Sequence, residues 1–228
     1  MIEIYAIKTD DYINRDFFNQ YINKISTQKK EKILKYRNIK DANSSLLGEL
    51  LVRYVLFNKY NICNSKINFS FNKYGKPYLI DYPHINFNIS HSGDWIVCAF
   101  SRHSIGIDIE KISKVDFDIA KNFFSVEEYM DLCSKDDDDK LNYFFDLWTL
   151  KESYIKAVGT GLSLPLNSFS IKKVLDGITV KSKDYFKQYL FKQYSIDDNY
   201  KFSICSIENS FPLSVQILSS NTFEDIYF

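Results

Sequence analysis

Proline and glycine are scarce in this 228-residue chain, at 4 and 7 residues. That scarcity excludes collagen-like and low-complexity sequences, and with 45% hydrophobic residues the chain can bury a large core, as one domain or as two of about a hundred residues each. The four cysteines, Cys63, Cys98, Cys133 and Cys205, form no Cys-x-x-Cys pair. Together with a start that lacks a secretory pattern, they point to a reducing, cytoplasmic compartment. Three histidines, at 84, 91 and 103, have no cysteine close by, so a zinc site has little support. No run of about 18 apolar residues occurs, which excludes a membrane-spanning helix and leaves a soluble protein as the expectation. Neither sign of charge is in excess, with 29 Lys plus Arg against 29 Asp plus Glu. A global basic field for nucleic acid is therefore absent, and any anionic ligand must be met by a local cluster.

What the chain has in plenty is periodic apolar residues. Ile2 to Ile7 alternates as a strand, and Ser26 through Tyr60 carries apolar residues at helical spacing, among them Leu46, Leu47, Leu50, Leu51, Tyr54 and Val55. From Ile67 to Ile109 the period returns to two, which predicts strands around Ile67–Phe71, Ile85–Ile89, Ile96–Phe100 and Ile105–Ile109, with turns at Tyr74-Gly75-Lys76-Pro77 and Ser92-Gly93-Asp94. Helical spacing resumes over about 118–130 and 141–158 and stops at Gly159 and Gly161, after which 169–228 alternates again and is expected to complete a second sheet. The order strand, helices, strands, helices, strands predicts an α+β protein of two similar halves meeting near residue 104. The acidic run Asp136 to Asp139 reads as a solvated loop, because like charges repel and stay hydrated.

Five segments could carry chemistry. In Ile105-Gly106-Ile107-Asp108-Ile109-Glu110, strand geometry sends the isoleucines to one face and Asp108 with Glu110 to the other. Paired carboxylates suit Mg²⁺ carrying substrate phosphates, although an ordinary charged sheet surface has the same pattern. In Leu147 to Lys156, helical spacing stacks Trp148, Glu152 and Lys156 on one face; alone, this is as well read as a core tryptophan beside a surface ion pair. Phe87-Asn88-Ile89-Ser90-His91-Ser92-Gly93 presents a Ser-His pair, but no Gly-x-Ser-x-Gly elbow supports a hydrolase. Lys29-Lys30-Glu31-Lys32 and Gly75-Lys76-Pro77 are basic features able to hold phosphates or to remain plain solvated surface.

In this order, Gly75-Lys76-Pro77, Phe87 to Gly93, Gly106-x-Asp108-x-Glu110 and Trp148-x-x-Lys151-Glu152-Ser153-x-x-Lys156 followed by Gly159-x-Gly161-Leu162, the sequence resembles the surfactin-type 4′-phosphopantetheinyl transferases over nearly its whole length. The resemblance implies a pseudo-twofold monomer of two α+β halves, 1–104 and 105–228, with coenzyme A in the cleft between them and Mg²⁺ on the second. It implies Asp108, Glu110 and Glu152 as metal ligands, and Lys29, Lys32, Ser45 and His91 around the adenosine 3′-phosphate. Lys76, Pro77 and Ser90 fall on the neighbouring nucleotide surface, and Asp108 and Lys156 on the pyrophosphate.

The activity implied is transfer of phosphopantetheine from coenzyme A to a serine of apo acyl, peptidyl or aryl carrier proteins of nonribosomal peptide or polyketide synthesis, releasing adenosine 3′,5′-bisphosphate. Glu152 would act as general base and Lys156 at the leaving phosphate. Phe123, Phe124 and Tyr129 are candidates for docking the carrier, with core packing the competing reading. Two rivals remain: another Mg²⁺ phosphotransfer enzyme, which leaves the Ser-His and Gly-Lys-Pro turns unexplained, and a noncatalytic coenzyme A or carrier-binding module, which is expected to lack one of Asp108, Glu110, Glu152 or Lys156.

Overall fold

The computed structural model describes residues 1–9, 15–174, 177–182 and 188–223. Its first half runs β1 (Glu3–Lys8), α1 (Arg15–Tyr21), α2 (Thr27–Ile33), α3 (Ile39–Tyr60), β2 (Phe69–Phe71), β3 (Pro77–Leu79), β4 (Asn86–Ser92) and β5 (Trp95–Ser101). The second runs β6 (Ile105–Lys111), α4 (Asp118–Phe123), α5 (Val126–Cys133), α6 (Asp137–Val158), β7 (Phe169–Val174), β8 (Gly177–Ser182), β9 (Leu190–Tyr194) and β10 (Tyr200–Ser206), and β11 (Gln216–Leu218) closes the series. The same order occurs twice: a strand, two short helices, a helix of 22 residues, a hairpin and two further strands. Sheet order repeats as well, β1-β5-β4 in one half and β6-β10-β9 in the other. The α+β class and the two similar halves are thus written in the connectivity.

Four local expectations are corrected. The helical stretch from Ser26 to Tyr60 is two helices, because Ser26 caps α2 by accepting from the Lys29 N–H and Asn38 caps α3 by accepting from the Lys40 N–H. The stretch over 118–130 is likewise α4 and α5, divided where Ser125 and Glu128 form a reciprocal capping box. The acidic run is not a loop: Asp136 occupies the cap of α6 and Asp137, Asp138 and Asp139 its first turn, where the positive end of the helix dipole offsets their mutual repulsion. Finally, the C-terminal alternating segment is shared out. β9 and β10 extend β6, β7 pairs with β8 as a separate hairpin, and β11 returns to the first sheet, parallel to β1. The end of that segment, 224–228, lies outside the described residues.

Period two decides where each face goes. On β1 and β5, Ile4, Ala6, Trp95, Val97 and Ala99 meet Ile105, Ile107, Ile109, Tyr200, Phe202 and Ile204 of the second sheet in one apolar layer. The alternate residues Tyr5, Ile7, Ile96, Cys98 and Phe100 pack under α3 with Leu46, Leu47, Leu50 and Leu51. Since β6 gives its isoleucines to the layer between the sheets, its other face, with Gly106, Asp108 and Glu110, is turned toward α6.

Candidate functional site

Gly106 sets the distance between the two elements that carry the acids. A Cβ at this position would fall inside the backbone of Ser153, Lys156 and Ala157, closer than any van der Waals contact. Only glycine therefore lets α6 lie directly on β6. That approach brings Glu152 and Lys156 over Asp108 and Glu110. The Lys156 ammonium donates to Asp108 Oδ1 at 2.5 Å and to Ser90 Oγ at 3.1 Å.

The strand β4 serves both the seam and the acids. It runs alongside β6, and its polar side chains accept the β6 amides: Asn88 Oδ1 from Ile107 N at 2.9 Å, Ser90 Oγ from Ile109 N at 3.4 Å, and Ser92 Oγ from Lys111 N at 3.1 Å. The same hydroxyls donate onward, Ser90 to Asp108 Oδ1 at 2.9 Å and Ser92 to Glu110 Oε2 at 2.7 Å. Ser90 therefore sits at the carboxylates. His91, the next residue on the strand, is exposed while Ser90 is buried, so the two do not form a hydrolytic pair.

Electrostatics mark this cluster. Asp108 is 2% exposed, and burial raises its pKa against the opposing pull of Lys156 and Ser90. Glu110 is raised by burial and by the Asp108 charge. Glu152 is pushed up to about 7 by burial and by Asp108 and Glu110, with Lys156 opposing. Asp108 Oδ2 is buried without a hydrogen-bond partner. The donor set suits a hard divalent cation: three carboxylates that disfavour one another's ionisation, with one oxygen left unsatisfied. As they stand, no three His, Cys, Asp or Glu side chains among the described residues are gathered closely enough to hold a metal ion, and the Lys156 ammonium takes the place of a cation on Asp108.

Beside the cluster lies a cavity of about 480 Å³ between α2, α3, the β2–β3 hairpin and β4. Phe69, Phe71, Pro77, Phe87 and Ile89 form apolar walls, Gly75 lies at the turn, and Lys29, Lys32 and Lys35 line the basic side. Lys30, between them in sequence, donates instead to Asn23 Oδ1 at 2.6 Å. Lys29 is half-buried and its pKa is lowered by that burial and by Lys32, while Glu49 on the cavity wall opposes the shift. His91 joins the two regions, its pKa lowered by surrounding protein and by the charges of Lys156 and Lys29. Ser45 is buried on α3, one turn before Glu49.

Two predicted positions stand elsewhere than expected. The Lys76 side chain does not line this cavity; its ammonium donates to Ile105 O at 2.9 Å and Lys156 O at 2.6 Å, on the far side of the turn. Phe124 is 3% exposed and packs on Phe144 and Trp148, so it belongs to the core and not to a docking surface. Asn88 and Ser92 were missed as site-builders, although Asn88-x-Ser90-x-Ser92 has the same period of two as Asp108-x-Glu110. Lys151, next to Glu152, points the other way and is buried against Glu128.

Known proteins resemble this sequence over most of its length. Residues 104–205 match the 4′-phosphopantetheinyl transferase superfamily and residues 14–103 match the N-terminal part of 4′-phosphopantetheinyl transferases. The chain is 42% identical over 219 residues to 4′-phosphopantetheinyl transferase Sfp of Bacillus subtilis (strain 168), covering 96% of this chain and 98% of that protein. It is 43% identical over 210 residues to 4′-phosphopantetheinyl transferase gsp of Aneurinibacillus migulanus, covering 92% and 88%. The structure of Helicobacter pylori holo-[acyl-carrier-protein] synthase in complex with coenzyme A overlaps 44% of this chain and 96% of its own, at a TM-score of 0.37 and 23% identity.

Proposed function

This chain belongs to the 4′-phosphopantetheinyl transferase superfamily, and we propose that its reacting centre is the cluster of Asp108, Glu110, Glu152 and Lys156, fed by the basic cavity that takes the adenosine end of coenzyme A. The enzyme transfers the phosphopantetheine group of coenzyme A to a carrier-protein serine, leaving adenosine 3′,5′-bisphosphate. The observation that carries the site assignment is the continuity of β4. Phe87 and Ile89 line the cavity, and Ser90 and Ser92 on the same strand hold Asp108 and Glu110.

The serine oxygen forms a bond to the β-phosphorus while the bond from that phosphorus to the bridging oxygen breaks. Glu152 is the base for the serine proton, directly or through one water, from its place one helical turn from Lys156. Lys156 shifts from Asp108 to the leaving phosphate, whose charge its ammonium offsets. Lys29 and Lys32, with His91 and Ser45 behind them, hold the 3′-phosphate, and the Gly75 to Pro77 turn covers the nucleotide. Asp108, Glu110 and Glu152 would hold Mg²⁺, which when bound supplies charge neutralisation at the pyrophosphate oxygens.

Residues 1–104 then form the nucleotide half and 105–228 the half bearing the carboxylates, in a cytoplasmic monomer. Among the described residues no helix is long and apolar enough to cross a membrane. With Phe124 in the core, the carrier surface falls to Ile119, Phe123, Val126 and Met130 on α4 and α5, which are 38%, 38%, 70% and 66% exposed. An acyl, peptidyl or aryl carrier would present an apolar helix face to them. Intact-mass measurement of an apo peptidyl carrier incubated with coenzyme A, with and without Mg²⁺, tests the assignment. A metal-dependent gain of one phosphopantetheine mass is expected, and its loss in a folded Glu152→Gln variant. Full activity in that variant would remove Glu152 as base, and coenzyme A binding without transfer to any carrier would leave a noncatalytic binding module.

A further inference from the structure

We propose that Lys76 is a positioning residue: its ammonium locks the turn covering the nucleotide to the C-terminal end of the helix that carries Glu152 and Lys156, instead of meeting a phosphate itself. The proposal rests on the reading above that the 480 Å³ cavity takes the adenosine end of coenzyme A.

The turn is built by Asn72. Its Oδ1 accepts from the Tyr74 and Lys76 amides, both at 2.9 Å, and its own N–H donates to Lys76 O at 2.9 Å. Its side-chain amide donates outward, to Gly159 O at 2.8 Å. Gly159 caps α6 in the left-handed conformation, φ 82°. Lys76 adds two bonds to the same contact, to Lys156 O at 2.6 Å and Ile105 O at 2.9 Å. Lys156 O is one of the last four carbonyls of α6, which have no partner within the helix, and a cation there also meets the negative end of the helix dipole. Ile105 opens β6, the strand of Asp108 and Glu110. One side chain thus joins the hairpin of the first half to both elements that carry the reacting groups.

The turn separates the two roles. Gly75 lines the nucleotide cavity and Pro77 borders both spaces, whereas Lys76 lines only a second groove of about 310 Å³, with Asn72, Ala157, Val158 and Gly159. With two of its three N–H groups donated to carbonyls, the ammonium is spent on backbone. Because the turn covers one end of the substrate and α6 acts on the other, the clamp fixes the spacing between them. Loosening it lets coenzyme A bind with its pyrophosphate out of line.

The test is steady-state transfer to an apo peptidyl carrier by Lys76→Met, Lys76→Arg and Asn72→Ala, with coenzyme A and with 3′-dephospho-coenzyme A, alongside hydrogen exchange of the ligand-free proteins. For Lys76→Met, kcat is expected to fall ten- to a hundredfold, as a displacement of about 1 Å would produce, with KM for either coenzyme changed less than threefold. Amides in 155–161 and 72–76 should exchange faster together. Lys76→Arg, still able to donate to both carbonyls, should recover most of kcat, and Asn72→Ala should repeat the kcat loss in milder form. A rise in KM for coenzyme A but not for the dephospho form, at unchanged kcat, would make Lys76 a phosphate ligand and overturn the proposal, as would unchanged kinetics. Should Lys76→Met fail to fold, Asn72→Ala and Lys76→Arg carry the same comparison. Absence of transfer by the wild-type protein would refute the assigned function, while coupled exchange of the two segments would still report the clamp.

Discussion

Lys151 sits beside Glu152 in sequence but serves the fold, and replacing it with methionine measures how much. Its side chain is 0% exposed and that of Glu128 is 2% exposed. The ammonium lies 2.7 and 2.6 Å from the two carboxylate oxygens and donates a third bond to Phe169 O at 2.9 Å. The Phe169 ring lies 4.2 Å beneath it. Glu128 accepts further bonds from Ser125 N and Ile171 N, both at 2.7 Å, so one ion pair ties α5, α6 and β7 together. Methionine fills the space but leaves the carboxylate buried without a counter-charge, a loss that costs about 3–5 kcal/mol. The two remaining N–H donors place this site at the low end, about 3 kcal/mol. For a chain of this size that lowers Tm by about 6–12 °C and removes a large part of a total stability of about 5–15 kcal/mol. Urea unfolding followed by circular dichroism reads the loss directly. A paired Lys151→Met/Glu128→Gln variant isolates the charge, since the amide oxygen still accepts from Ile171 N while nothing ionised remains, and it should recover about half of the loss. The reasoning fails if Lys151→Met is within about 0.5 kcal/mol of wild type, or if the double variant is no more stable than the single one. Transfer by folded Lys151→Met, measured well below its Tm, should stay within a few-fold of wild type, because the ammonium faces away from Asp108.

Gly106→Ala adds one methyl group between β6 and the α6 backbone. It should either prevent folding or push α6 outward and abolish transfer, and a folded, active variant would show that the two elements do not touch as described. Ser90→Ala and Ser92→Ala each remove a hydroxyl that orients one carboxylate. Each should raise the Mg²⁺ concentration for half-maximal transfer about ten- to a hundredfold, as loss of ligand-orienting bonds does; an unchanged Mg²⁺ titration would separate β4 from the cation. Burial lowers the Lys76 pKa from 10.5 to about 8. Between these values the unfolded chain binds the extra proton, so stability rises with pH through that window. The stability of wild type relative to Lys76→Met should therefore grow by up to about 3 kcal/mol from pH 8 to 10.5 in denaturant titrations, and a constant difference would contradict the burial of the ammonium.

The acids were legible because a strand leaves little choice: three isoleucines at alternate positions require one apolar face, and Asp108 and Glu110 must take the other. Glu152 and Lys156 were legible as a helical stripe, but their meeting with Asp108 was not, since that depends on how closely two elements pack. The residue that decides this, Gly106, announces only the absence of a side chain. The Asn88, Ser90 and Ser92 ladder was hidden for a related reason. Polar residues alternating on a strand ordinarily mean a face toward water, whereas here they stand in for backbone partners at the junction of two sheets and are buried or half-buried by it. Lys76 offers two readings in the sequence, a group on the nucleotide surface able to hold a phosphate or plain solvated surface, because a basic residue in a glycine turn has both available. What the sequence could not convey is that the C-terminal carbonyls of α6 arrive at the same place and compete for the ammonium. In each case single-element periodicity fixed which side chains share a face, and the contact between elements decided what that face does. The same logic applies to the aromatic pair after β6: Phe123 and Phe124 are neighbours of identical chemistry, yet where α4 ends and the Ser125 capping box starts α5, Phe124 enters the core and Phe123 stays partly exposed on Trp148.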